Sequence, residues 1–223
     1  MRLPLLIAAV FTLAAGPALA QQQRIDPKDL KAPPKLPEMA APSNIAGMIA
    51  QVDQENILVL DLSSGGRVKI VMRPDVAPKH VERIRTLARQ GFYDGTAFHR
   101  IVRGFMIQGG DPLTKDSGME ARWGTGDPGY KIKAEFNGKP HVKGIVSMAR
   151  SADPDSAGSQ FFICFDTAPH LDRQYTVFAR VLSGMDVLEK LEKVPQRASK
   201  PQTPVVLESV TLLPRAEWKP AAK

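Results

Sequence analysis

Three hydrogen-bonding side chains, Arg100, Gln108 and Gln160, sit among large apolar ones in two separate runs of this chain. The first run is Phe98-His99-Arg100-Ile101-Val102-Arg103-Gly104-Phe105-Met106-Ile107-Gln108-Gly109-Gly110-Asp111, and the second is Gly158-Ser159-Gln160-Phe161-Phe162-Ile163. An arginine and two glutamines can each donate to a backbone carbonyl, while Phe105, Met106 and Phe162 can wall an apolar pocket. Together they suit a ligand that is apolar at one end and an amide at the other, a description that a proline-containing peptide meets. Other chemistries fit poorly. The single cysteine, Cys164, ends the apolar run Phe161-Phe162-Ile163 and reads as a buried, inert thiol with no histidine placed to activate it. The four histidines are scattered with no two at ligand spacing, so neither a metal nor another cofactor is expected. Gly124-Thr125-Gly126 lacks both the helix opening and the Gly-Lys-Ser/Thr that a phosphate cradle needs.

Side-chain alternation sorts these residues further. If residues 160–164 form a strand, Gln160 and Phe162 share one face, and Phe161 and Ile163 share the other. Met106 and Gln108 likewise share a face that Ile107 opposes. Gly104 bends the chain between Arg100 and Met106, so parity stops there. The expected result is one face bearing Met106, Gln108, Gln160 and Phe162, backed by a core of Ile107, Phe161 and Ile163. His99 has the opposite parity to Arg100 and reads as structural; Arg103 reads as a solvated charge.

The elements that must position this face are short. Residues 56–62 and 67–72 are apolar-rich strands joined by Ser63-Ser64-Gly65-Gly66, a hairpin signal. Residues 78–90 form a helix opened by Pro78, with Val81, Ile84, Leu87 and Ala88 on one face and Gly91 as its stop. Residues 183–193 repeat the pattern with Met185, Leu188 and Leu191, and residues 204–213 form a last strand. Residues 111–130 hold Gly118, Gly124, Gly126 and Gly129 and read as a glycine-rich loop near the site, with Trp123 packing over it. Many strands, two helices and no alternating strand–helix rhythm point to a mostly antiparallel barrel or sandwich.

Arg2, the apolar run Leu3–Leu13, the break at Gly16-Pro17 and the small-x-small site Ala18-Leu19-Ala20 predict a cleaved signal peptide over residues 1–20. The apolar run is too short for a membrane anchor, and Gln21 rather than a cysteine follows the cleavage point. Pro27, Pro33, Pro34, Pro37 and Pro42 make residues 21–44 an extended linker. The domain proper is expected over 45–213, with a flexible tail at 214–223. One cysteine cannot form an intramolecular disulfide, so stability rests on packing. Hydrophobic residues at 43% and charged ones at 24% are ordinary for a soluble globular domain. Net charge is +7, but Lys and Arg are spread along the chain without a basic run, which argues for solvated surface and against nucleic acid.

In wording and order the two motif runs resemble the cyclophilin family of peptidyl-prolyl cis-trans isomerases, and the resemblance extends from about Asn56 to Leu213. It implies a mostly β fold, an eight-stranded antiparallel β-barrel capped by two α-helices. It also implies an enzyme that interconverts cis and trans X-Pro bonds and assists folding of exported proteins. Arg100 would be the catalytic donor. Phe105, Met106, Phe162 and Leu171 would form the proline pocket, and Gln108 and Gln160 would bind substrate backbone. Ala149 and Arg150 stand where a short Ala-Asn stretch contacts the peptide, with Arg150 in place of the usual Asn. His170 stands where the family has a pocket-edge tryptophan, and Tyr175 where it has a pocket histidine. Tyr175 keeps an aromatic wall and a hydroxyl; His170 gives up an indole N–H and apolar area, so weak cyclosporin binding at most is expected. Both departures resemble the bacterial exported branch. That branch implies a periplasmic protein acting on unfolded or folding proline-containing polypeptides, with no stable membrane insertion after signal cleavage. The rival is a non-catalytic proline-peptide-binding or chaperone module on the same fold. Arg100 favours the enzyme, because a binder has no need of that donor.

Overall fold

A computed structural model describes residues 56–213; the expected signal peptide over 1–20, the expected linker over 21–44, the expected domain start at 45 and the expected tail at 214–223 lie outside the described residues. Strands β1 (Ile57–Leu62) and β2 (Arg67–Met72) pair as the predicted hairpin. Their alternate residues Leu58, Leu60, Leu62, Val68, Ile70 and Met72 all enter the main core. Helix α1 (Pro78–Arg89) buries Val81, Ile84, Leu87 and Ala88, as their spacing requires, and also His80 and Arg83. Ala77 has no side chain able to cap it. The free N–H groups of Lys79 and His80 instead donate to the Glu135 carboxylate at 3.1 and 3.0 Å, a negative charge at the positive end of the helix.

The remaining elements are β3 (Ala97–Phe98), β4 (Arg100–Val102), β5 (Met106–Gly109), β6 (Ile145–Met148), β7 (Phe161–Cys164), β8 (Val177–Ser183), α2 (Met185–Glu192), β9 (Gln196–Arg197), β10 (Lys200–Pro201) and β11 (Val205–Leu213). The main sheet runs β3-β11-β1-β2-β8-β6-β7-β5-β4 and is antiparallel throughout. Its two end strands are separated in sequence by His99 alone, so the chain itself closes the barrel. Nine strand segments therefore stand where eight were expected. The eighth is split because its outer neighbour changes there: Phe98 lies opposite Val205 of β11, whereas the Ile101 N–H donates to Ser199 O at 2.7 Å. Taken as one bent strand, residues 97–102 restore the count of eight.

Three further features go beyond the sequence reading. The β9–β10 hairpin has two-residue strands around Ala198 and Ser199, both at positive φ, and is too short to carry periodicity. The 111–130 loop contains two 3-10 turns, Pro112–Lys115 and Ser117–Arg122, started by the Asp111 and Asp116 carboxylates accepting from Leu113 and Gly118 N–H. Arg103 is exposed, as read, but it also has carbonyl partners. Its Nε donates to Glu192 O at 3.2 Å and its Nη2 to Lys193 O and Val194 O at 3.4 Å, while Gly104 N–H donates to Glu192 Oε1 at 2.6 Å. The β4–β5 turn is thereby tied to the carbonyl end of α2, where a cation is favoured.

Three of the four histidines, His80, His99 and His141, are buried. Burial lowers the pKa of each, outweighing the opposing pull of Glu135 on His80, Asp111 on His99 and Asp172 on His141. Their folded-state pKa values therefore lie below those of the unfolded chain, which favours the neutral ring at neutral pH. The unfolded state takes up protons first as pH falls through the ordinary histidine range, so stability drops there. Thermal melts should show a falling midpoint from about pH 7 to about pH 5, before carboxylate titration adds to the loss. A flat midpoint across that interval would mean that these rings are accessible.

Candidate active site

The β4–β5 hairpin builds the polar half of the site. Gly104 takes φ 67° in its tight turn, a left-handed conformation that suits glycine, and the Phe105 N–H closes the turn on Val102 O at 3.0 Å. Arg100 then lies opposite Gln108, and β5 pairs onward with β7 so that Gln108 faces Phe162 and Met106 faces Cys164. The side chains form a directed relay. Arg100 Nη1 donates to Gln108 Oε1 at 3.3 Å, Gln108 Nε2 to Gln160 Oε1 at 2.9 Å, and Gln160 Nε2 to Gly124 O and Gly126 O at 3.1 and 2.8 Å. Two carbonyl acceptors fix the Gln160 amide, which fixes Gln108 in turn, so an acceptor oxygen is presented to the guanidinium.

The glycine-rich loop is anchored against this relay. The Asp111 carboxylate accepts from Leu113 N–H at 2.8 Å, from Gly126 N–H at 3.2 Å, and from Gly124 N–H. Trp123 braces the loop from within by donating Nε1 to Leu113 O and Asp116 O at 3.1 and 3.2 Å. At Gly110 a side chain is impossible: a Cβ would lie 2.6 Å from Ser159 O, and φ is 83°. That close approach lets Ser159 Oγ donate to Gly110 O at 2.7 Å, locking the two motif runs together.

The apolar half follows the predicted parity. Met106, Phe162, Cys164, Ala168 and Leu171 form a buried cluster apart from the main core, with Val102, Phe105, Ala149 and Tyr175 packed on it. Ile107, Phe161 and Ile163 point into the main core. Cys164 is fully buried and its thiol is pushed up to about 12 by desolvation, so it is inert. Tyr175 meets Phe162 edge-on at 5.7 Å, and His170 is exposed with its ring 5.4 Å from that of Phe105. Beside this cluster a cleft of about 310 Å³ is lined by Gln108, Thr125, Ala149, Arg150, Ser156 and Gln160 among others. A larger groove of about 760 Å³ elsewhere, bounded by Ile57, Val71, Val142 and Ala179, contains none of the predicted site residues.

His141 escaped the sequence reading. Its ring stacks on Phe162 at 6.1 Å and 16°, its Nδ1 lies 2.9 Å from Asp172 Oδ1, and its Nε2 lies 3.1 Å from Ser147 Oγ. A carboxylate accepts only, so Nδ1 carries the proton and Ser147 Oγ donates to Nε2. The connectivity is that of a Ser-His-Asp triad, yet Ser147 is fully buried and no substrate can reach its oxygen. The group is a polar brace beneath the pocket floor. Its members are dispersed in the sequence and none carries a local signal.

A family profile described as cyclophilin type peptidyl-prolyl cis-trans isomerase/CLD matches residues 57–212. The chain belongs to the cyclophilin family. This cyclophilin is 50% identical over 145 residues to a probable peptidyl-prolyl cis-trans isomerase of Brucella suis, covering 63% of this chain and 74% of that protein. It is 37% identical over 151 residues to peptidyl-prolyl cis-trans isomerase-like 3 of Homo sapiens, covering 66% and 90%. A Cryptosporidium parvum cyclophilin, crystallised in the presence of the dipeptide Ala-Pro, superposes with TM-score 0.63 at 28% identity, covering 70% of this chain and 98% of that one. A cyclophilin from Hirschia baltica gives 0.59 at 26%, covering 79% and 82%. The nearly closed antiparallel barrel is thus the cyclophilin fold, and the activity is peptidyl-prolyl cis-trans isomerisation.

Proposed function

We propose that this cyclophilin is an exported, periplasmic isomerase in which Arg100 is the catalytic donor. The observation that carries the assignment of Arg100 is its pairing with Gln108 on a hairpin whose next residues, Phe105 and Met106, belong to the apolar cluster. Rotation about an X-Pro bond faces a barrier of about 18–20 kcal/mol because amide resonance must be broken, and unaided it takes tens to hundreds of seconds. Bringing it to milliseconds requires roughly 10⁵-fold, or about 7 kcal/mol. No proton transfer or covalent step is needed. In the twisted transition state the proline nitrogen becomes pyramidal and regains its lone pair. A guanidinium donating to that nitrogen, or holding the proline carbonyl, favours the twisted form over the planar one.

Phe105, Met106, Phe162, Leu171 and Tyr175 clamp the ring while the preceding carbonyl swings, and Gln108, Gln160, Ala149 and Arg150 border the peptide's path. The Ala-Pro dipeptide used with the Cryptosporidium relative supports proline-containing segments as the ligand class. A protease-coupled assay on a proline tetrapeptide tests the reading directly: a rate no faster than the uncatalysed one would leave only a binding module. The export assignment rests on Leu3–Leu13 and Ala18-Leu19-Ala20. N-terminal sequencing of the mature protein should begin at Gln21, free or cyclised; an intact Met1 in a membrane fraction would overturn export by a cleaved signal.

A further inference from the structure

We propose that Arg150 is a positioning residue that holds the Tyr175 side of the proline pocket and acts through that wall rather than on the peptide. The guanidinium carbon lies 4.6 Å above the Tyr175 ring centroid. Arg150 Nε donates to Gln174 O at 3.0 Å, the carbonyl just ahead of Tyr175, and Nη1 donates to Ser151 O and Ala152 O at 2.8 and 3.2 Å. A single side chain thus joins the loop after β6 to the backbone and ring of Tyr175. The link continues: Gln174 Nε2 donates to His170 O at 3.0 Å, reaching the turn that carries Leu171. Tyr175 in turn meets Phe162 and His141 edge-on, at 5.7 and 6.5 Å and 84° each.

The wall has two anchors. The inner one is the buried His141–Asp172–Ser147 brace, and the outer one is Arg150, half-buried at the rim. Only a planar, five-donor cation can cover an aromatic face while bridging three carbonyls. An asparagine in its place would have neither the reach nor the charge.

The inference rests on Tyr175 forming the proline wall. A wall touches the ring alike in the planar and twisted states, so loosening it weakens binding more than it slows the bound step. In the peptide assay Arg150→Ala should raise KM by about two- to fivefold, the scale of one exposed cation–π contact, with kcat changing less than KM. The increase should be the same for peptides carrying Glu, Lys or Ala ahead of the X-Pro pair, and it should vanish in a Tyr175→Leu background, because both substitutions remove the same support. Melting curves of each variant establish that it is folded. An increase confined to the Glu peptide would assign Arg150 to direct substrate contact and overturn the proposal, as would an increase that persists undiminished in the Tyr175→Leu protein. If Tyr175→Leu alone leaves KM unchanged, the pocket assignment fails first, and the brace with it.

Discussion

Arg100→Ala is expected to slow isomerisation by about 10²–10³-fold, the loss associated with removing one oriented transition-state donor. The fold should survive. Arg100 is exposed, and its side-chain hydrogen bond is to Gln108, while β4 stays in register through backbone pairing with β5. A surface truncation of this kind changes stability by about 0.5 kcal/mol or less. The deficit should appear in kcat, because in the proposed mechanism the guanidinium acts on a nitrogen that becomes pyramidal only in the twisted state. Arg100→Lys should retain a small part of the rate, since an ammonium keeps the charge without the planar fork. A folded Arg100→Ala protein with near-native rate would remove the proposed mechanism.

His170→Trp is expected to tighten cyclosporin binding by about ten- to a hundredfold, starting from an affinity much weaker than nanomolar. The exposed imidazole lies against Phe105 at the rim of the apolar cluster, where an indole would add contact area and an N–H. The regained hydrogen bond is worth about 0.5–1.5 kcal/mol, and roughly 50 Å² of added apolar contact contributes a similar amount at about 25 cal/mol per Å². Each 1.4 kcal/mol is a factor of ten. Isothermal titration of both proteins decides it: nanomolar binding by the natural chain would contradict the pocket-edge role of His170.

Parity was the most productive signal in the sequence. A two-residue repeat separated Met106 and Phe162 from Ile107, Phe161 and Ile163, and the structure divides them between two clusters in the same way. It worked because β5 and β7 lie in the barrel wall, with one face turned to the core and the other to the pocket cluster. It stopped at Gly104, so the pairing of Arg100 with Gln108 emerges only from the hairpin. Long-range polar contacts were illegible. Arg103 gives no sign in its own neighbourhood that the end of α2 will lie beside it. Ser147, His141 and Asp172 meet only after β6, the loop before it and the Pro169–Leu171 turn have folded together. The split at His99 is of the same kind, since it records a change of neighbour and not a break in propensity.

The strand order also sets a timetable. β11, the last strand along the chain, lies between β1 and β3, with Leu60 opposite Val210 and Phe98 opposite Val205. Until residues 205–213 are available, β1 and β3 each have a bare edge, the kind of surface that templates strand addition from other chains. So long-range a pairing is slow to form. For a polypeptide synthesised from its N-terminus, closure must wait for the whole domain to emerge, and the species most in need of shielding is an open sheet lacking its final strand.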